Sequence, residues 1–516
     1  MKKLMSAVVA AIAVAASAAT WERAGSLQVA DTTGLAAAVA KLGEISGNQM
    51  LGTMAAAQLS QLPTSEFFGP ARQGGSIALP LYFDVDAFEK AGAGDEDAFD
   101  GLDDGAVEYA VVYPMAIPKE EFMKLHEGAI ETNGFVRVNG LPFGDSDEEF
   151  TYVAFAEDGK WAVASDKPEQ VTIAMNDLAD LVKPMDGDVA RVSVTAKGTD
   201  ALRKVIDVAA KKIAEDSETK LDAQTIEYIK GFSTAELALR VADAGIDTHG
   251  SFTAVPGSLL ATMGQFPIAG EPLAKAGEGD IIACHSTFAK FDVSGRWNVI
   301  DGVLKKHKID TSSFLKWEFG DFSRLTVDLP AAFAWAKAAE TNGLDEVDSD
   351  EVLEDIKSAL ENANLKCEPA DKEYGFGLAI AGYKLQYTPA QRFAKVLPEV
   401  KGKPLVGAAT YTIAGLIQAI LPPVMAMLDA ETRASIAPMA ALLPKECAGG
   451  LASAYWREGE NGFGFLGRIS ADEIKGIGVS VGTIAAASMM GQGAASDDDD
   501  DDDDDDDGDD DSSDED

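Results

Sequence analysis

Apolar and polar positions alternate through Glu236–Ala261, ELALRVADAGIDTHGSFTAVPGSLLA, and the same pattern returns elsewhere in the chain. Leu237, Leu239 and Val241 share one side of an extended strand, because successive strand residues point to opposite faces. Asp243, Ala244 and Gly245 make a turn, since Asp and Gly tolerate the left-handed backbone that a reversal needs. A second strand follows, and Pro256 opens a helix, where its fixed φ fits and its missing N–H has no intrahelical partner to lose. The order strand, turn, strand, proline-led helix recurs at Phe150–Val182 around Asp158-Gly159 and Pro168, at Gly375–Ala394 and, in reduced form, at Gly462–Ile474.

Other stretches carry a second phrase. Gly187–Lys212 and Gly279–Lys306 both begin Gly-Asp, run as a strand and pass into a helix that contains Val-Ile-Asp and ends in Lys-Lys; Gly402–Ile417 resembles their beginnings. The spacings between copies are irregular, which excludes a solenoid of fixed period. Duplication of a strand–helix–hairpin–helix unit accounts for the pattern. The expected fold class is α+β, with antiparallel sheets and helices packed on one face. Asp31–Leu62 reads as helix broken at Gly47, and Ser76–Phe83 as the first strand, whose Pro80 argues for an edge position. Gly, Pro and charge cluster near residue 270. The expected division is therefore a signal segment over 1–18, an N-terminal half over 19–270, a C-terminal half over 271–478 and a flexible, disordered tail over 479–516. Pro422-Pro423 interrupts the apolar run Ala408–Leu443, which reads as core rather than a membrane span.

Charge and the two ends of the chain add the functional content. Met1-Lys2-Lys3, the apolar run Leu4–Ala15 and Ala16-Ser17-Ala18 match a secretory signal cut after Ala18, too short in its apolar part to span a bilayer. This predicts export to the periplasm or beyond it, with no transmembrane segment once the signal is removed. The formal charge is −43, from 86 acidic and 43 basic residues. Asp497–Asp516 holds 17 of the acids, and residues 1–496 keep 69 acidic against 43 basic side chains. Nucleic acid and anionic membrane surfaces are disfavoured partners, and divalent cations or a basic protein surface are favoured ones. Adaptation to a salty medium is the plainer account of the acidity. The run Asp497–Asp507 repels itself and cannot bury apolar surface, so the tail is expected to be disordered.

Candidate chemistry is sparse. His126, His249, His285 and His307 form no metal-ligand spacing, and Cys284-His285, adjacent on a strand, must point to opposite faces. Gly462–Gly467 matches GxGxxG in letters, yet its glycines sit in a hairpin arm and not between strand and helix. No GxSxG nucleophile turn occurs. Of Cys284, Cys367 and Cys447, the last two are the first pair to consider for a disulfide, although three unpaired buried thiols is the simpler expectation. Asp95, Asp97 and Asp100 in an acidic loop could gather oxygen ligands for Ca²⁺, but Phe99 and Asp100 break the EF-hand pattern. Asp497, Asp501 and Asp507 stand for a diffuse cation-attracting tail of about millimolar affinity or weaker, with no caged cofactor. These readings point to an exported, non-enzymatic binding or scaffolding protein. An exported hydrolase with a site assembled from distant residues is the alternative, and a structural or surface-layer protein a third.

Overall fold

The structure is a computed structural model, and it describes residues 21–61, 65–93, 102, 106–140, 150–216, 223–290, 292–341, 349–363, 368–427, 430, 433–434, 437 and 449–478. The chain begins with β1 (Trp21–Ala30), the helices α1 (Thr32–Ser46) and α2 (Gln49–Gln61), β2 (Ser76–Asp84) and α3 (Val85–Gly92). An insertion follows: β3 (Val107–Tyr109), β4 (Val111–Pro114), α4 (Lys119–Leu125), β5 (Ile130–Thr132), β6 (Phe135–Asn139), β7 (Phe150–Phe155), β8 (Trp161–Ser165), α5 (Pro168–Asn176) and α6 (Leu178–Leu181). Next come β9 (Asp188–Val194), α7 (Ala196–Asp216), α8 (Ala223–Lys230), β10 (Phe232–Ala242), β11 (Gly245–Ala254) and α9 (Leu259–Thr262).

The second part repeats the scheme with β12 (Asp280–Ser286), β13 (Ala289–Lys290), α10 (Val293–Lys306), β14 (Leu315–Glu318), β15 (Phe322–Val327), α11 (Leu329–Thr341), α12 (Ser349–Asn362), β16 (Glu368–Pro369), β17 (Tyr374–Ile380) and α13 (Pro389–Val396). It closes with β18 (Leu405–Tyr411), α14 (Ile413–Met427), β19 (Leu451–Glu458) and β20 (Gly462–Ser470). The class is α+β, as the alternation predicts. Among the described residues eighteen strands share one sheet, and β13 with β16 makes a small separate one. Through its centre the sheet runs β2-β1-β9-β10-β11-β20-β19-β18-β12-β17, all antiparallel. The pairing of β15 with β17 is parallel.

The repetition is visible in backbone detail. The pairs β1–β2, β9–β10, β12–β17 and β18–β19 each carry a register shift near the start of the first strand, leaving Ala24, Val189, Ile281 and Val406 unpaired. Shortly after β1, β9, β12 and β18 the chain enters a helix through a capping side chain three residues before a glycine. Asp31 accepts from the Gly34 N–H, Thr195 from Gly198, Asp292 from Gly295 and Thr412 from Gly415. At Gly198 the requirement is steric, because an added Cβ would drive into the backbone carbonyl of the bulged Ala24.

Two expectations are corrected here. The first strand is Trp21–Ala30, not Ser76–Phe83. Pro80 is not on an edge: β2 pairs with β1 on one side and with β3 and β4 on the other. Proline is accommodated because that second side is shared between two short strands, and Pro80 only accepts there, from the Ala110 N–H. Gly47 does end α1, in the left-handed conformation at φ 77°.

Buried residues cluster on both faces where β2 meets the insertion, one set around Phe68, Tyr113 and Phe122, the other around Tyr82, Trp161 and Val171. Under α13, Phe393, Val396 and Leu397 pack on Ala283, Ala408 and Ala454. No helix among the described residues is long and apolar enough to cross a membrane. The cap geometry makes a direct prediction. Gly198→Ala should cost about 1–3 kcal/mol, because neither the Ala24 carbonyl nor the helix start can give way cheaply. Urea unfolding measures this, and an unchanged midpoint would show that the glycine is not required.

Candidate functional site

The two faces of the central sheet differ in chemistry. One cross-strand row passes Leu79, Leu27, Val192 and Leu237, then Gly250, Phe465 and Tyr455, and ends on Gly407, Ser286 and Tyr374. The next row on that face passes Val29, Ala190, Leu239 and Thr248 to Gly467, Ser453, Ala409, Cys284 and Phe376. Neither row holds a charged side chain, in a chain that is 25% charged. Arg191, Arg240, Asp247, His249 and Arg468 lie on the opposite face, whereas Arg457, beyond Tyr455 on the cavity face, covers the Phe463 ring and bonds the Ala261 and Met263 carbonyls.

Over β17, β12, β18 and β19 the uncharged face floors a cavity of about 530 Å³. Its floor is Cys284, Ser286, Gly407, Ala409 and Ser453, all small, so no side chain fills the space above them. Its walls are aromatic and aliphatic: Tyr228 of α8, Phe232, Phe252, Leu260, Met263, Phe288 and Tyr374. Phe252 stacks on Phe463 at 4.8 Å, and Phe288 meets the same ring edge-on at 5.4 Å. A second hollow of about 340 Å³ shares Ala409 and Ser453 with the first. Cavities of this size and lining are the usual form of a small-molecule site. Polar groups gather at one rim, where Asp321 and Ser323 lie near Tyr374. Burial and its bond to Asp371 push the Tyr374 hydroxyl up to about 12.

The titratable groups nearby are structural. Burial raises the Cys284 thiol pKa against the opposing Phe376 backbone N–H, so it stays a neutral thiol on the cavity floor. His285 points to the other face, 3% exposed, where Nδ1 faces the Leu273 N–H and Nε2 lies 3.4 Å from Glu373. Burial lowers its pKa, against the pull of Glu373, and the ring is held as a neutral acceptor toward the Leu273 N–H. His126 bonds the Phe67 carbonyl, and His307 bonds Asp355 at 2.7 Å. His249 bonds Asp188 at 3.0 Å, but Arg240 holds the same carboxylate through Nε at 3.0 Å and Nη2 at 2.8 Å, with Arg191 on the other oxygen. Cys284 therefore has no histidine on its own face.

The Gly-Asp echo has a physical reason. Asp188 and Asp280 each stand at the bulge that opens a unit, each is buried, and each is held by arginine, Asp280 by Arg324. Asp95, Asp97, Asp100, Asp497, Asp501, Asp507, Cys367 and Cys447 lie outside the described residues. Among the described residues no three His, Cys, Asp or Glu side chains gather as a metal site requires. In the sequence the cavity leaves only a faint signal, alternate strand positions that stay small or apolar, such as Gly407 and Ala409 or Ser453 and Tyr455. Comparison with family models, curated proteins and solved structures finds no match.

The Asp188 cluster yields a stability prediction. Burial opposes ionisation of Asp188, yet bonds from Arg191, His249 and Arg240 outweigh it and hold the carboxyl below its usual range. A depressed folded pKa means that this stabilisation is complete above the unfolded carboxyl pKa of about 3.9 and is lost as pH falls through the folded value. Asp188→Asn should cost about 3 kcal/mol at pH 7, because Arg191 and Arg240 lose their shared partner. The gap between wild type and variant should narrow below pH 4 in denaturant titrations, and a gap independent of pH would contradict the assignment.

Proposed function

We propose that the protein is an exported, non-enzymatic binding protein whose ligand is apolar and sits in the cavity above Ala409 and Ser453. The observation that carries this reading is a cavity of about 530 Å³ whose floor is kept free of large side chains and whose walls are almost wholly apolar. The chemistry of its residues supports binding over turnover. Its one thiol has a raised pKa, and the neighbouring histidine faces away from it. The amino-terminal signal pattern supports export. An aqueous compartment outside the cytoplasm is a setting in which an apolar molecule needs a carrier. The aspartate tail adds a weak ligand for divalent cations or a basic surface, independent of the cavity.

Equilibrium titration with N-phenyl-1-naphthylamine, an uncharged dye that fluoresces in apolar surroundings, tests the cavity. The dye should bind saturably at one site per chain, and Ser453→Phe, which fills the floor, should weaken binding by at least about tenfold. Binding that is unaffected by Ser453→Phe in a folded variant sinks the reading. For the tail, calorimetric Ca²⁺ titration of the full chain and of a form ending at Ser496 should show weak heats in the first and none in the second. Tight binding retained in the shortened form would move the cation site into the body.

A further inference from the structure

The apolar face that floors the cavity continues beyond it, and among the described residues its side chains there are left well exposed. Leu237 is 44% exposed, Val192 42% and Leu239 39%, on three neighbouring positions of β9 and β10. The link to the cavity is continuous. From Leu237 the row crosses Gly250 to Phe465, whose ring stacks on Tyr455 at 6.0 Å, and Tyr455 lines the cavity. Gly250 keeps this passage level, because a Cβ there would drive into the Glu236 carbonyl and meet the Phe465 ring. Tyr455 is itself 43% exposed, so the join lies open to solvent. Strands lie about 4.8 Å apart, and the seven steps from Ser286 on β12 to Leu27 on β1 therefore span roughly 34 Å.

We infer that this track is the outer half of the same binding site and takes the remaining hydrocarbon of a ligand whose inner end occupies the cavity. The ligand class is then a long-chain lipid rather than a compact apolar molecule. The inference rests on the cavity reading. Hydrocarbon suits the track better than a protein does. Protein interfaces carry about one hydrogen bond per 100–200 Å², whereas Val192, Leu237 and Leu239 offer no side-chain donor or acceptor. Contiguous exposed apolar surface of this kind marks a binding site, and the acidic balance of the chain disfavours docking onto an anionic membrane.

Photolabelling of the full chain with a diazirine analogue of palmitic acid, followed by peptide mapping, tests the inference. Adducts are expected both in the cavity segments 405–411 and 451–458 and in the track segments 188–194 and 232–242. The double variant Val192→Asp, Leu237→Asp should lose the track adducts and bind the probe at least about tenfold more weakly, since charge is placed where hydrocarbon lies. Val192→Thr with Leu237→Thr, uncharged and of high strand preference, should show the same trend if the aspartates impair folding. Adducts confined to the cavity overturn the track and leave the cavity reading standing. Absence of adducts at both places overturns the lipid assignment while saturable, Ser453-dependent binding of N-phenyl-1-naphthylamine keeps the cavity reading, and absence of that dye binding as well overturns both. A dimer in sedimentation that the double variant dissociates would assign the track to a second copy and overturn the inference.

Discussion

The ladder between β11 and β20 is the contact on which the rest of the architecture depends. It joins strands distant in the chain, from Gly245 opposite Ser470 to Thr253 opposite Gly462. Gly245 follows the turn of the first hairpin and Gly462 that of the second, so the ladder reads alike from either end, about His249 and Leu466. Asp247 and Arg468 face each other across it and form a buried bidentate pair, at 2.6 and 2.8 Å. Arg468 also bonds the Val396 carbonyl and Glu399, which ties α13 to the seam. Removing either member of such a pair leaves an uncompensated buried charge, so it specifies register even where its net stabilisation is small.

The cavity depends on that seam. Phe252 of β11 lines the cavity, and the buried Phe463 of β20 stacks behind that ring and holds it in place. Tyr228 and Phe232 approach from the first half of the chain, Cys284, Gly407 and Ser453 from the second. Charge is segregated accordingly. Ion pairs centred on Asp188, Asp247 and Asp280 occupy the face away from the cavity, where burial makes each costly to leave unpaired and so specific. The face toward the cavity keeps no charge along its two central rows, and the nearest charged groups have partners, Asp321 at the rim with Lys372 and Arg457 with the Ala261 and Met263 carbonyls.

Much of the local structure was legible because local chemistry determined it. The turn at Asp243 to Gly245, the break at Gly47 and the Gly-Asp starts at 187 and 279 all follow from residues near in sequence. The strand Trp21–Ala30 is hidden in the sequence because the bulged Ala24 shifts the phase of alternation between Arg23 and Gly25. The four-unit repeat was hidden by insertions placed differently in each copy, β3 to α6 after β2 in one, β14 to α12 between β12 and β17 in another. A better signal was available in the recurring Asp or Thr three residues before glycine, at Asp31, Thr195, Asp292 and Thr412. The cavity could not be read from sequence, since it requires knowing that β11 pairs with β20. That pairing joins strands more than two hundred residues apart, and local propensity carries no trace of it.

Amide hydrogen exchange, with and without N-phenyl-1-naphthylamine, tests most directly the claim that one shared ladder builds the ligand site. Residues 245–253 and 462–470 should exchange slowly and together, because neither strand can open without the other. Both should gain protection when the dye binds. Rapid exchange in one strand beside slow exchange in the other, or protection gained only at places remote from both, would contradict the account.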